Sequence, residues 1–170
     1  MQNNQMSDKG MELLMSIEAF RGIPYDDQNG NNISDWVKGA TIGYGHLISQ
    51  DEWNQSGSSY INGITKDQAK ILFTKDLVPF VDGVNAKVTA AISQNQFDAL
   101  VILAFNIGLG NFDSSSVLKL INDPSAQTSY PNLEAAWKAW NKSQGNVMQG
   151  LVNRRNAEWN IYAKDIYEHW

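Results

Sequence analysis

The sequence predicts an α+β fold: one amphipathic helix, a small irregular sheet, then a mostly helical lobe. Three observations lead there. Apolar residues recur at helical spacing from Met11 to Ile17. Between Ile23 and Tyr60 the texture changes to dense Gly, Asn, Asp and Ser with short β-prone pieces. From Thr65 onward, capped and apolar-periodic segments follow one another almost to the end of the chain.

Each element has its own signal. Residues 1–6 are polar and are expected to be frayed. Ser7 reads as a helix N-cap with Asp8 in the first turn. Met11, Leu14, Ile17 and Glu18 share one stripe, and Gly22 and Pro24 act as stops, so the first helix is expected over 8–21. Glu18 then lies at the negative end of the helix dipole beside the core face, and both features tend to raise a carboxyl pKa. Short strands are expected over 33–37 and 41–45, in a sheet of two or three strands. Thr65-Lys66-Asp67-Gln68 is a capping box, followed by Ala69, Leu72 and Leu77, with Pro79 kinking or ending that helix. Ser93-Gln94-Asn95-Gln96 is a second box. It opens a helix that is apolar nearly all round and therefore central, ending near Gly108 or Gly110. Shorter helices are expected at about 115–121 and 133–140, and a last one, in one or two pieces, over 152–167.

Composition bounds the possibilities. A length of 170 residues fits one domain with a core of its own. With 42% hydrophobic, 11% aromatic and 18% charged residues the chain is not disordered. The absence of cysteine excludes disulfides, a Cys nucleophile and thiolate metal sites. A net charge of −5 argues against nucleic acid as a partner, and no apolar run is long enough for a membrane span. The opening Met1-Gln2-Asn3-Asn4-Gln5 has no basic stretch leading into an apolar one, so synthesis in the cytoplasm without a signal peptide is expected.

The catalytic options narrow by elimination. There is no phosphate-binding loop, no His-Glu-x-x-His and no Gly-x-Ser-x-Gly, and the only histidines are His46 and His169. No metal or organic cofactor is expected. What remains is carboxylates, hydroxyls and aromatics, a set suited to glycosidic bonds. The best carboxylate pair is Glu18 with Asp26 or Asp27 in the segment after it. The run Thr41-Ile42-Gly43-Tyr44-Gly45-His46 adds a strand hydroxyl, two glycines that permit close backbone approach, and a histidine.

These residues resemble the phage-type lysozymes, glycoside hydrolase family 24. The resemblance rests on Glu18, on Tyr25-Asp26-Asp27 with Asp27 nine residues after Glu18, and on Thr41-Ile42-Gly43-Tyr44-Gly45-His46. It continues through Gly63-Ile64-Thr65-Lys66-Asp67-Gln68-Ala69, Phe105-Asn106-Ile107-Gly108 and Gly150-Leu151-Val152-Asn153-Arg154-Arg155-Asn156-Ala157-Glu158, so it spans about residues 8–165. It implies a single lysozyme-like domain over 1–170: a first helix at 7–22, a small β-hairpin lobe at 23–62 and a larger helical lobe at 63–170, with the active-site cleft between the lobes.

It also implies an endo-acting muramidase that hydrolyses, with inversion, the β-1,4 bond between N-acetylmuramic acid and N-acetylglucosamine in peptidoglycan. Glu18 is then the general acid, while Asp27 and Thr41 hold the attacking water. Tyr25, Tyr44, His46, Asn106 and Arg154 fall to substrate binding, and Arg154 matches an arginine that pairs with the catalytic Glu. The interval from Asp27 to Thr41 is fourteen residues, longer than is common in the family, which keeps Asp26 and Asp35 as alternatives.

Blander roles stand beside these. His46 fits a structural residue paired with an acid, Tyr25 and Tyr44 fit the small lobe's core, and Asn106 fits a helix cap. Arg155 fits a solvated charge or a structural pair. Trp137, Trp140 and Trp159 fit the core. Peptidoglycan strands are the expected partner of a monomer that acts at the periplasm or cell wall after release or injection. An immunity protein is expected if the chain is a secreted toxin domain. Two other functions remain open: a peptidoglycan-binding module without activity, and the same fold acting on chitin-like polymers.

Overall fold

The structure is a computed structural model and describes residues 4–170. Of the N-terminal residues expected to fray, 1–3 lie outside the described residues, and the next three are held. The Asn4 N–H donates to Asn85 Oδ1 (3.0 Å), Asn85 Nδ2 donates back to the Asn4 carbonyl (2.8 Å), and Met6 is buried.

The described elements run α1 (Asp8–Ile17), β1 (Arg21–Asp26), β2 (Ala40–Gly43), β3 (His46–Leu47), α2 (Gln50–Ile61), α3 (Lys66–Lys87), α4 (Gln94–Ile107), α5 (Leu109–Asp113), α6 (Ser116–Asn122), α7 (Leu133–Lys138), β4 (Lys142–Ser143), β5 (Asn146–Val147) and α8 (Gln149–Lys164). The α+β class is the expected one. By contact the chain forms two compact units: Met15–Val78, and Pro79–Trp170 with the residues up to Leu14.

In the Met15–Val78 unit, β1, β2 and β3 form an antiparallel sheet in that order. Helix α1 ends at Ile17 rather than at residue 21, because Arg21 to Asp26 pair with β2 instead of continuing the helix. Gly22 and Pro24, read as stops, lie within that strand. Proline is tolerated because β1 is an edge strand and its register slips between Arg21 and Tyr25. The expected strand at 33–37 is absent. Those residues form a loop whose apolar side chains Ile33, Trp36 and Val37 pack on the buried Ala40, Ile42 and Ile48. Trp36 Nε1 donates to the Ile48 carbonyl (3.0 Å), so the partly buried indole has no orphaned donor. Helix α2 was not foreseen. Its signal is Ser49 followed by Glu52, and the Ser49 hydroxyl accepts from the Glu52 N–H (3.2 Å).

The other unit is built on α4, in which every residue from Phe97 to Ala104 is buried. The Ser93 N–H donates to Gln96 Oε1 (3.0 Å), as its capping pattern predicts. Asp98, fully buried, accepts from the Ser7 N–H, the Gln94 amide and the Tyr167 hydroxyl, so its charge is answered on several sides. Pro79 does not end α3, which runs on to Lys87. The β4–β5 hairpin turns on Gln144-Gly145, and α8 starts at Gln149 and is one piece. No helix among the described residues is long and apolar enough to cross a membrane.

Candidate active site

Six of the eight expected site residues lie in the Met15–Val78 unit, on β1, β2, β3 and the segments beside them. Glu18 stands one residue past the end of α1, in a bend, and is partly buried. A Cβ placed on Gly45 would lie 3.8 Å from Glu18 Oε2, so the carboxylate faces the turn between β2 and β3. Gly45 holds φ +84° there, a conformation that suits glycine.

Hydrogen bonding separates the two adjacent aspartates. Tyr25 pairs with Thr41 and Asp26 with Ala40, and the Asp27 N–H extends the ladder by donating to the Gly39 carbonyl (3.0 Å). Tyr25 and Thr41, directly paired, share one face of the sheet, whereas Asp27 lies in the turn that follows β1. Asp26 uses both carboxylate oxygens in the turn: Oδ1 accepts from the Gln28 N–H (3.0 Å) and Oδ2 from Asn29 Nδ2 (2.6 Å). Asp35 is exposed and accepts from the Ser34 hydroxyl (3.2 Å). The Asp27 carboxylate is exposed and has no hydrogen-bond partner among the described residues.

Gly39, which the sequence did not single out, joins Asp27 to Thr41. Its carbonyl accepts both the Asp27 N–H and the Thr41 hydroxyl (2.9 Å). Its Cα carries the Asp27 carboxylate so closely that an added Cβ would lie 2.2 Å from Asp27 Oδ1. Thr41, 4% exposed, has therefore spent its proton on Gly39 and can only accept from anything else that approaches its oxygen.

Tyr25 borders the acids. Burial pushes its hydroxyl pKa up, the Arg21 guanidinium opposes this, and the Asp27 and Glu18 carboxylates reinforce it, so the phenol keeps its proton at neutral pH. Arg21 lies 4.0 Å over the Tyr25 ring and donates to the Gly30 carbonyl and to Asn32 Oδ1 (both 2.8 Å), tying the long loop back to β1. Tyr44 packs between Phe20 (5.5 Å) and Phe73 (6.1 Å) in an aromatic cluster.

His46 is engaged at both ring nitrogens. Nδ1 lies 2.9 Å from Asp76 and Nε2 3.0 Å from Glu52, which also accepts from the Tyr60 hydroxyl (2.6 Å). The expectation that His46 binds substrate therefore meets a ring with no nitrogen left for a sugar. The Asp76 hydrogen bond holds its pKa above the ordinary value, with Glu52 adding to it and burial opposing. A histidine whose folded pKa is raised stabilises the fold fully below its unfolded value near 6.5, and this is lost as pH rises through the folded value. His46→Asn is thus expected to lower stability by about 2 kcal/mol near pH 5.5 and by much less well above the raised value. Melting curves of both proteins across that range check this.

Asn106 and Arg154 belong to the other unit. Asn106, exposed in the last turn of α4, accepts from Arg155 Nη2 (2.6 Å). Arg154 donates through Nε to Glu158 (3.1 Å) and lies 5.1 Å from the Trp170 ring. Of the two roles left open for Arg155, a solvated charge or a structural pair, the structure shows the pair: the side chain is fully buried and its Nη2 also donates to Glu158 (2.9 Å). Trp137 is fully buried, whereas Trp140 and Trp159 are partly covered. Among the described residues no group of three or more His, Asp or Glu is placed to hold a metal ion.

The phage lysozyme family model matches residues 15–158. The chain belongs to the phage lysozyme family. The endolysin of Bacillus phage PZA is 39% identical over 159 residues, which cover 91% of this chain and 53% of that protein. This family member spans about half the length of the Bacillus phage endolysins it matches. Among solved structures, the endolysin of Escherichia coli O157:H7 phage FAHEc1 superimposes with a TM-score of 0.75 at 28% identity, covering 98% of each chain. The muramidase domain of SpmX from Asticaccaulis excentricus gives 0.71 at 30% identity, covering 95% of this chain and 99% of that one. The lysozyme-like fold expected from the motifs is thus shared with these solved structures.

Proposed function

We propose that this chain is an endo-acting muramidase that hydrolyses the β-1,4 bond between N-acetylmuramic acid and N-acetylglucosamine in peptidoglycan. The observation that carries the reading is the family match over residues 15–158, which contains Glu18, Asp27 and Thr41 in one unit. Glu18 protonates the leaving glycosidic oxygen as general acid. Asp27, whose carboxylate has no protein partner among the described residues, takes one proton of the attacking water. Thr41 accepts the other, because its own hydrogen is committed to Gly39. A water held at both protons turns an oxygen lone pair toward the anomeric carbon. Attack from the side opposite Glu18 gives inversion, without a covalent sugar–enzyme intermediate.

The other expected residues take supporting places in this reading. Tyr25, with its proton retained, donates toward the acids or the sugar, and Arg21 holds its ring. Tyr44 and the doubly paired His46 fix the hairpin that carries Thr41. Asn106 and Arg154 contribute from their own unit to substrate binding. The chain works as a single functional domain and a monomer, made in the cytoplasm and acting on the cell wall after release or injection. An inhibitor protein is a partner only if the chain serves as a secreted toxin.

Mass spectrometry of purified peptidoglycan digested in heavy-oxygen water tests the reading. The expected products are muropeptides with a free reducing end on N-acetylmuramic acid carrying one heavy oxygen. Anhydro ends would mean lytic transglycosylation. Wall binding without new ends would leave a binding module, and cleavage of chitin but not of wall would change the substrate.

A further inference from the structure

A groove of about 750 Å³ opens in the Pro79–Trp170 unit, between the end of α6, the irregular loop 123–132 and the side of α8. None of the candidate site residues lines it, and no Lys, Arg, Asp, Glu or His is among the described residues that do. Its volume falls in the range of small-molecule sites. Leu120, Ile121 and Leu133 supply apolar wall.

Two tyrosines present aromatic surface to the groove. Tyr162 is held rigidly, its ring stacked on Trp159 (5.4 Å, 20°) and 5.2 Å from Trp137. Its half-buried hydroxyl, pushed up in pKa by burial, makes no hydrogen bond among the described residues. Tyr130 is 38% exposed, and its backbone is pinned by bonds to and from the Thr128 hydroxyl (3.2 and 3.1 Å). The Asn132 side chain is fixed by its bond from the Ala135 N–H (2.8 Å), which leaves its amide nitrogen available, and the Gln127 amide, which donates to the Ser125 carbonyl (3.5 Å), has a second N–H and its oxygen to offer.

We propose that this groove is a second, non-catalytic binding site for an uncharged stretch of wall glycan. The naming of the ligand as wall glycan rests on the muramidase reading above. A pyranose ring offers an apolar C–H face to an aromatic side chain, and its hydroxyl and acetamido groups answer amide and phenol groups. The stem peptides of the wall carry carboxylates and amines, which would leave water here with no opposite charge to meet them. The chain itself carries −5, so it has no general attraction to an anionic wall. Retention on the wall then depends on neutral contacts of the kind this groove provides.

The test is a titration of ¹⁵N-labelled Glu18→Gln protein with the tetramer of N-acetylglucosamine, followed by NMR. Saturable shifts of the Gln127 and Asn132 side-chain amides are expected, with affinity about tenfold weaker in the added variant Tyr130→Ala. Tyr162→Phe keeps the ring stack and removes only the hydroxyl. It is expected to weaken binding too, and it serves as the second variant should Tyr130→Ala disturb the fold. Three results would overturn the proposal: silent amides, shifts that persist unchanged in both variants, or displacement of the tetramer by an acidic stem peptide. The readout is binding in a chain that need not turn over. Lack of muramidase activity would therefore leave a positive result intact, while an active muramidase with silent amides would sink the groove alone.

Discussion

Gly39→Ala is expected to slow wall hydrolysis about 100-fold although Glu18, Asp27 and Thr41 are all unsubstituted. Two independent costs fall on this position. Gly39 sits at φ +102°, where an L side chain is strained by about 1–2 kcal/mol. The added methyl would also lie 2.2 Å from Asp27 Oδ1 and 3.3 Å from Asp26 Oδ1. The Asp27 carboxylate must swing away, and with it the proposed grip on the attacking water. Gly145→Ala separates the two costs. Gly145 has φ +82° in the β4–β5 turn with nothing within 4 Å of an added Cβ, so it bears the backbone strain alone. It should lose a similar amount of stability and clear walls at the wild-type rate. Initial rates of wall clearing and melting midpoints of both variants decide the matter, with Glu18→Gln as the floor of the assay. A Gly39→Ala enzyme that clears walls normally would mean that this contact does not set the position of Asp27.

Gly39 also marks where sequence reading stops. Glu18, Asp27 and Thr41 were legible because their chemistry and spacing follow a pattern. Gly39 matters only because the ladder of β1 and β2 brings a carboxylate over its Cα, and that meeting has no local signature. Helices were legible where a cap is written in the chain, as at Ser7, Thr65 and Ser93. Helix α2 carries the same kind of signal in Ser49 and Glu52, but its polar composition and Gly57 masked it. An added Cβ on Gly57 would lie 2.9 Å from the Trp53 ring, so the glycine is a packing requirement. Strand β1 was misread because Gly22 and Pro24 look like breakers, and only sheet position makes them tolerable. Arg155 shows the remaining gap. The sequence leaves Arg155 between a solvated charge and a structural pair, and the carboxylate of Glu158 three residues on decides for the buried pair.

That buried cluster should carry the largest single-residue effect on stability. Glu158 is fully buried and accepts from Arg154 Nε (3.1 Å), Arg155 Nη2 (2.9 Å) and Trp137 Nε1 (3.0 Å). Burial pushes its carboxyl pKa up, while the two guanidiniums and the indole N–H pull toward the ionised form. The same burial pulls the Arg155 pKa down. Arg155 Nε and Nη1 and Arg154 Nη2 are also buried without a hydrogen-bond partner among the described residues, so Glu158 is the anion that answers both cations. Glu158→Gln keeps the shape and removes the charge. It is expected to cost about 3–5 kcal/mol, because two guanidiniums are then left in the core uncompensated. For a chain of this size that is a fall of roughly 10 °C in melting midpoint. Glu134→Gln is the control. Glu134 pairs with Lys138 at the same i,i+4 spacing but in solvent, and its loss should cost no more than about 0.5 kcal/mol. Equal midpoints for the two variants would mean that the Arg154 and Arg155 guanidiniums reach water in the native state. The asymmetry expected between a buried and a solvated pair would then be absent.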